Sequence, residues 1–132
     1  MNKVGISFSL LRGRVLIHRS ALRSIDMPSN IRFLLNTGAK KVAIQACEAI
    51  DRDSFTVPNL NEMGSYEIAS VNFINVIYGL AGWKKDKSYR IYGRIFKKNR
   101  LVEYMLGEAL EISDDEFVDP ELENTALKID GE

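Results

Sequence analysis

From Ile31 to Ala46, on both sides of a polar break, the pattern of apolar positions and the turn chemistry give the same answer. Folding this stretch about Gly38-Ala39 pairs Leu35 with Val42, Phe33 with Ile44 and Ile31 with Ala46 on one face. The other face then holds Arg32 with Gln45, Leu34 with Ala43 and Asn36 with Lys41. Successive strand side chains point to opposite faces, so a slip of one residue would expose the whole apolar set. The pattern predicts a hairpin, with Gly38 supplying the positive φ of a type II′ turn.

Upstream, Val4, Ile6, Phe8 and Leu10 alternate with Gly5, Ser7 and Ser9, which predicts a strand with its small residues toward solvent. Arg14 to His18 reads as a second strand, and Ser20 to Ile25 as a short helix that Pro28 stops. The polar connection 48–62 holds one short strand, at Ser54 to Val57. Ser65 is predicted to open one long amphipathic helix, with Ile68, Val71, Ile74, Tyr78 and Ala81 on its apolar stripe and Gly82 at its end. A second hairpin, Tyr89 to Leu106 about Lys98-Asn99, sets Ile95 opposite Val102, Ile91 opposite Leu106, Tyr104 opposite Gly93 and Arg94 opposite Glu103.

These elements predict an α+β fold: an antiparallel sheet or barrel built from two strand-helix-hairpin units, 14–46 and 55–106, with the long helix packed on the sheet. The expected domain is 1–112. Beyond it, 113–132 is dense in like charge and sparse in apolar residues, which predicts a mobile acidic tail.

The run Gly13-Arg14-Val15-x-Ile17, then Leu22-Arg23-x-Ile25, then the hairpin, resembles the swapped-hairpin domain of AbrB-, SpoVT- and MazE-type DNA-binding regulators. The resemblance covers about a quarter of the chain, and departs from the family at His18, where the helix usually opens with proline, and at Asp26, where it usually closes with glycine. It implies a strand-swapped, dimer-like barrel that presents Arg14 and Arg23 to DNA. The chain is also similar in character to small uncharacterised proteins of bacterial genomes and their mobile elements.

Charge changes this picture more than composition does. The net charge is zero, yet residues 1–46 carry eight Lys/Arg against Asp26 alone, a net of +7. Residues 84–100 carry eight against Asp86 alone, again +7, while 101–132 carry eleven Asp/Glu against Lys128, a net of −10. Segregation of this kind concerns partners, not fold. A single cysteine, Cys47, fits a reducing compartment, and no apolar run reaches the length of a bilayer span, so the expected location is cytoplasmic, with no membrane partner.

Chemistry is mostly excluded. His18 is the only histidine, no phosphate loop or metal-ligand spacing occurs, and the acidic Glu48 beside Cys47 disfavours a thiolate. The expectation is a non-enzymatic protein without metal or cofactor. Arg12, Arg14, Arg19 and Arg23 gather around one strand and its helix, and Arg90, Tyr92 and Arg94 put cations and an aromatic ring on a second strand. Phosphates require cations and unpaired bases require a flat surface, so these seven residues are the expected nucleic-acid contacts. The alternatives are a protein-binding adaptor or inhibitor, with the acidic tail imitating a phosphate backbone, and an inter-subunit site that sequesters a small anionic nucleotide. Each is expected in a homo-oligomer.

Overall fold

A computed structural model describes residues 3–58 and 65–120. In chain order the elements are β1 (Gly5–Ser9), β2 (Arg14–Ile17), α1 (Arg19–Ser24), β3 (Asn30–Asn36), β4 (Lys41–Ala46), β5 (Phe55–Thr56), β6 (Tyr66–Ala69), α2 (Val71–Ala81), β7 (Ser88–Tyr92), β8 (Arg94–Phe96), β9 (Leu101–Met105) and β10 (Leu110–Ile112). The fold is α+β, with two antiparallel five-stranded sheets ordered β10-β7-β1-β2-β6 and β5-β3-β4-β9-β8. Among the described residues, α2 is the only helix longer than six residues, and none is long and apolar enough to cross a membrane.

The core lies between the sheets. Ile6, Phe8, Val15, Ile17 and Ile91 of the first sheet and Ile31, Val42, Ile44, Val102 and Tyr104 of the second are all essentially inaccessible. They form one cluster with Ile74, Ile77 and Tyr78 of α2. Phe73 stacks on Phe33 with ring centroids 4.6 Å apart, which ties α2 to β3. The Tyr78 hydroxyl donates to the Lys87 carbonyl (2.6 Å) and accepts from the Leu10 amide (3.2 Å), joining α2 to both strands at one end of the β1–β7 ribbon.

One residue carries the chain from sheet to sheet. Tyr92 pairs with Gly5 in the first sheet and Arg94 with Glu103 in the second, so the strand 88–96 bends at Gly93. The Gly93 amide donates to the Val4 carbonyl (2.9 Å), and a Cβ there would lie 2.6 Å from the Glu103 carbonyl and 2.8 Å from the Tyr104 ring. Only glycine fits so close an approach.

The β3–β4 ladder has the register that alternation predicts, from Ile31–Ala46 to Asn36–Lys41. Its turn differs. The loop spans 37–40, and the positive φ falls on Lys40 (53°), not on Gly38. The second hairpin keeps Arg94–Glu103 and Ile95–Val102, but Ile91 pairs with Ile6 in the other sheet and does not meet Leu106 as a ladder partner.

The long helix begins later than predicted. Tyr66 to Ala69 pair with β2 as a strand, and helix starts only at Val71, running to Gly82 in the left-handed region (φ 70°). Ile68 satisfies both a helical and a two-residue period, and the free edge of β2 decides between them. Ser7 and Ser9, predicted to face solvent, are buried (0% and 1% exposed), because β1 is central in its sheet and is covered on its outer side as well. The acidic stretch is also packed in part. Ser113 to Glu116 form a capped turn, Phe117 is buried against Leu16 and Ile112, and Asp119 is buried. Residues 121–132 of the expected tail lie outside the described residues.

Candidate nucleic-acid interface

The two sheets turn different outer faces outward. On the first, register places Arg14, Ser9, Ser88 and Ile112 in one row, and Glu67, Leu16, Ser7, Arg90 and Leu110 in the next. Arg14 and Arg90 therefore share a face, as a common cationic surface requires. Both are engaged within the chain. Arg14 pairs with Glu67 at 3.4 Å. Arg90 is only 9% exposed and donates to the Ser7 hydroxyl (3.3 Å) and to the main-chain carbonyls of Val118 (2.9 Å) and Glu116.

The remaining expected contacts surround that cover. Arg12 pairs with Asp114 at 3.0 Å and lies over the Phe117 ring at 5.4 Å. The main-chain amide of Arg19 donates to Asp119 at 2.8 Å. Tyr92 sits edge-on to His18, with the Lys3 ammonium 5.5 Å from its ring centre. Arg23 is exposed on α1. Six of the seven expected residues thus lie with the first sheet and α1, and Arg94 stands apart on the second.

Alternation on distant strands hides one pairing of reactive groups. The Ser7 hydroxyl and His18 Nε2 are 3.0 Å apart, and both residues are buried. With Ser7 wholly inaccessible and Arg90 donating to the same oxygen, this arrangement ties β1 to β7 and to the residue that follows β2. Cys47 is partly exposed, and burial, then Asp51, push its thiol pKa upward, with Glu48 a minor contributor. Asp51 itself accepts the Glu48 amide at 2.8 Å, which gives it a turn-forming role. Among the described residues no group of three or more His, Cys, Asp or Glu could hold a metal ion.

The outer face of the second sheet is open. Register sets Phe96, Leu101, Gln45 and Arg32 in one row, and Arg94, Glu103, Ala43 and Leu34 in the next. Phe96 is 43% exposed and Leu34 38%, and a shallow groove of about 200 Å³ runs between Leu34, Ala43, Leu101 and the Lys41–Glu103 pair. Arg32 donates twice to the Gln45 side-chain oxygen (2.9 and 3.1 Å), while the Gln45 amide holds the Asn99 carbonyl at the hairpin tip (3.1 Å). Lys97, Lys98 and Arg100 at that tip are exposed, with Arg100 also reaching the Ile25 carbonyl at 3.0 Å. The seven expected residues omit Phe96 and these three cations. Their signal was available, since a two-residue period puts Phe96 on the face of Arg94.

Comparison with protein-family models, curated proteins and solved structures finds no match to this chain, and so none bearing on the AbrB-type resemblance of 13–46.

Proposed function

We propose that the protein binds single-stranded nucleic acid across the outer face of its second sheet, with the β8–β9 ribbon as the main contact. What supports this is the state of one charge. Glu103, the cross-strand neighbour of Arg94, is bonded to Lys41 (3.0 Å), and among the described residues no carboxylate pairs with Arg94. That guanidinium, an exposed aromatic ring two residues along the same strand face, and three cations at the adjoining tip meet both needs of an unstacked strand. Cations attract the phosphates and the ring gives a base a surface to stack on. The apolar floor of Leu34, Ala43 and Leu101 accepts further base surface without demanding a particular hydrogen-bond pattern, so sequence preference is weak. The cationic face of the first sheet contributes little in this reading, since its arginines are already satisfied.

The test is fluorescence anisotropy of a labelled dT15 titrated over a range of salt. The reading expects affinity to fall as salt rises, and Arg94→Ala with Lys97→Ala to flatten the log–log slope by about 0.7 for each phosphate that is no longer neutralised. Phe96→Ala should weaken binding by about 1–3 kcal/mol, the usual contribution of one stacked base. Binding that ignores all three substitutions, or that does not respond to salt, rejects the proposal. Capture of a protein partner that persists in high salt would favour the adaptor reading instead.

A further inference from the structure

We propose that residues 113–120 act as an internal stand-in for a phosphate group, occupying an oxyanion site on the outer face of the first sheet that opens when this segment lifts. The site is separate from the surface assigned above, and it rests on how Arg90 is satisfied. A guanidinium is ionised at every ordinary pH and demands acceptors. Arg90 is nine-tenths buried at the centre of β7, and among the described residues all its hydrogen-bond acceptors are neutral: the Ser7 hydroxyl and the carbonyls of Glu116 and Val118. The Glu116 carboxylate acts on Arg90 only through space, without bonding to it, whereas anionic oxygens at the carbonyl positions would form charge-assisted bonds about twice as strong.

The segment does carry carboxylates, and they are directed elsewhere. Asp114 goes to Arg12, Glu116 turns back to the Ser113 amide (2.8 Å), and Asp119 takes the Arg19 amide. The Glu116 and Val118 carbonyls, both on Arg90 Nη2, thus occupy the part of the guanidinium that a phosphate oxygen would take. Ser7 lies beneath the guanidinium, its hydroxyl shared between Arg90 Nε and His18, and fixes the orientation of Arg90. Apart from the Arg90 bonds, the segment is held at its end by the buried Asp119 on the Arg19 amide and at its start by two weaker contacts. The Arg12–Asp114 pair is exposed (45% and 74%), a class of contact that salt weakens, and Phe117 is the main apolar anchor, on Leu16 and Ile112. A ligand bearing a phosphate monoester would displace the carbonyls and leave Arg12 free to contribute as well.

The experiment uses the full chain and inorganic phosphate at constant ionic strength, followed by the Arg90 Nε–H NMR signal and by hydrogen exchange of amides 113–120. Phosphate should shift the Arg90 signal saturably and speed exchange across 113–120. Asp114→Asn and Phe117→Ser, which loosen the segment without removing a cation, should tighten phosphate binding at least tenfold, and Arg90→Gln in either background should abolish it. A 5′-phosphorylated dT6 that binds better than its unphosphorylated form identifies a strand end as the source of the phosphate; equal binding of the two, with inorganic phosphate still bound, identifies a small free phosphate. Unchanged phosphate affinity in Asp114→Asn, which leaves the core untouched should Phe117→Ser fail to fold, overturns the proposal, as does phosphate binding with 113–120 still protected. Arg94→Ala with Lys97→Ala should leave all of this unaltered, so failure of the second-sheet reading and failure of this one are separately visible.

Discussion

Glu103 faces Arg94 directly across the β8–β9 ladder, yet its carboxylate lies 3.0 Å from the Lys41 ammonium on the neighbouring strand. Lys41 and Glu103 are the less exposed pair (33% and 19%), so their attraction is screened less than an Arg94 contact at the sheet margin would be. That preference keeps one cation of the second sheet open. Glu103→Gln should cost about 0.5–1 kcal/mol of stability, as removal of a half-exposed pair does. The same change should strengthen dT15 binding several-fold at low salt by releasing Lys41. Denaturant titration and anisotropy on one preparation check both.

Gly93 is where the strand passes between sheets, and an added methyl would strike the Glu103 carbonyl at 2.6 Å. A backbone atom cannot rotate away. Gly93→Ala is expected to destabilise the protein by about 1–3 kcal/mol, in the range for overpacking. Thermal unfolding measures it, and Gly79→Ala, with nothing within 4 Å of the new methyl, serves as the control.

Tyr78 joins α2 to the ends of β1 and β7, and burial pushes its phenol up to about 12. The folded state thus holds this proton more tightly than the unfolded chain, whose phenol titrates near 10. Its contribution is fully present below about pH 10 and is lost as pH rises toward 12, the direction that proton linkage requires. Tyr104, buried completely, is raised further and reinforces the trend. Ultraviolet titration should register Tyr78 only as the fold gives way. Tyr78→Phe should cost about 1–3 kcal/mol, since it strands the Leu10 amide and Lys87 carbonyl.

The turn at the start of the covering segment has its own pH window. Glu116 is held below the usual carboxylate range, first by the Ser113 amide, then by the Ser113 hydroxyl. A depressed carboxylate stabilises the structure above its unfolded pKa and ceases to do so as pH falls through its folded one. The Ser113 amide resonance should therefore move only below the pH at which ordinary glutamates titrate, and Glu116→Gln should abolish the movement. The readout is an amide NMR titration under acid conditions.

How much of this was legible in the sequence depended on whether both partners of a contact lay close along the chain. The β3–β4 register was, because Ile31 to Ala46 contains both strands and the turn between them. Arg94–Glu103 was legible for the same reason. Tyr66 to Ala69 misled, because four residues fit either period and the neighbour that decides, β2, lies about fifty positions away. Ser7 and Ser9 misled in a similar way: small polar residues suit water, yet here Ser7 bonds His18 and Arg90 and Ser9 takes the Arg12 amide. The covering segment is the clearest case. Its charge density argues for solvation only when its own composition is weighed, and Arg12, Arg19 and Arg90, which reward its docking, come from far upstream in the chain. The same physics moved the candidate site. Arginines around β2 and α1 met carboxylates and carbonyls in space, while Arg94 faces a glutamate that Lys41 already holds.

The most direct measurement is an amide NMR titration of the full chain with unlabelled dT12 at low salt. The second-sheet reading expects the largest shift changes at residues 94–101 and at the facing positions 32–34 and 43–45, with Arg14 and the 113–120 amides unmoved. Changes centred on Arg14, Arg19 and Arg23, with 94–101 silent, would contradict it.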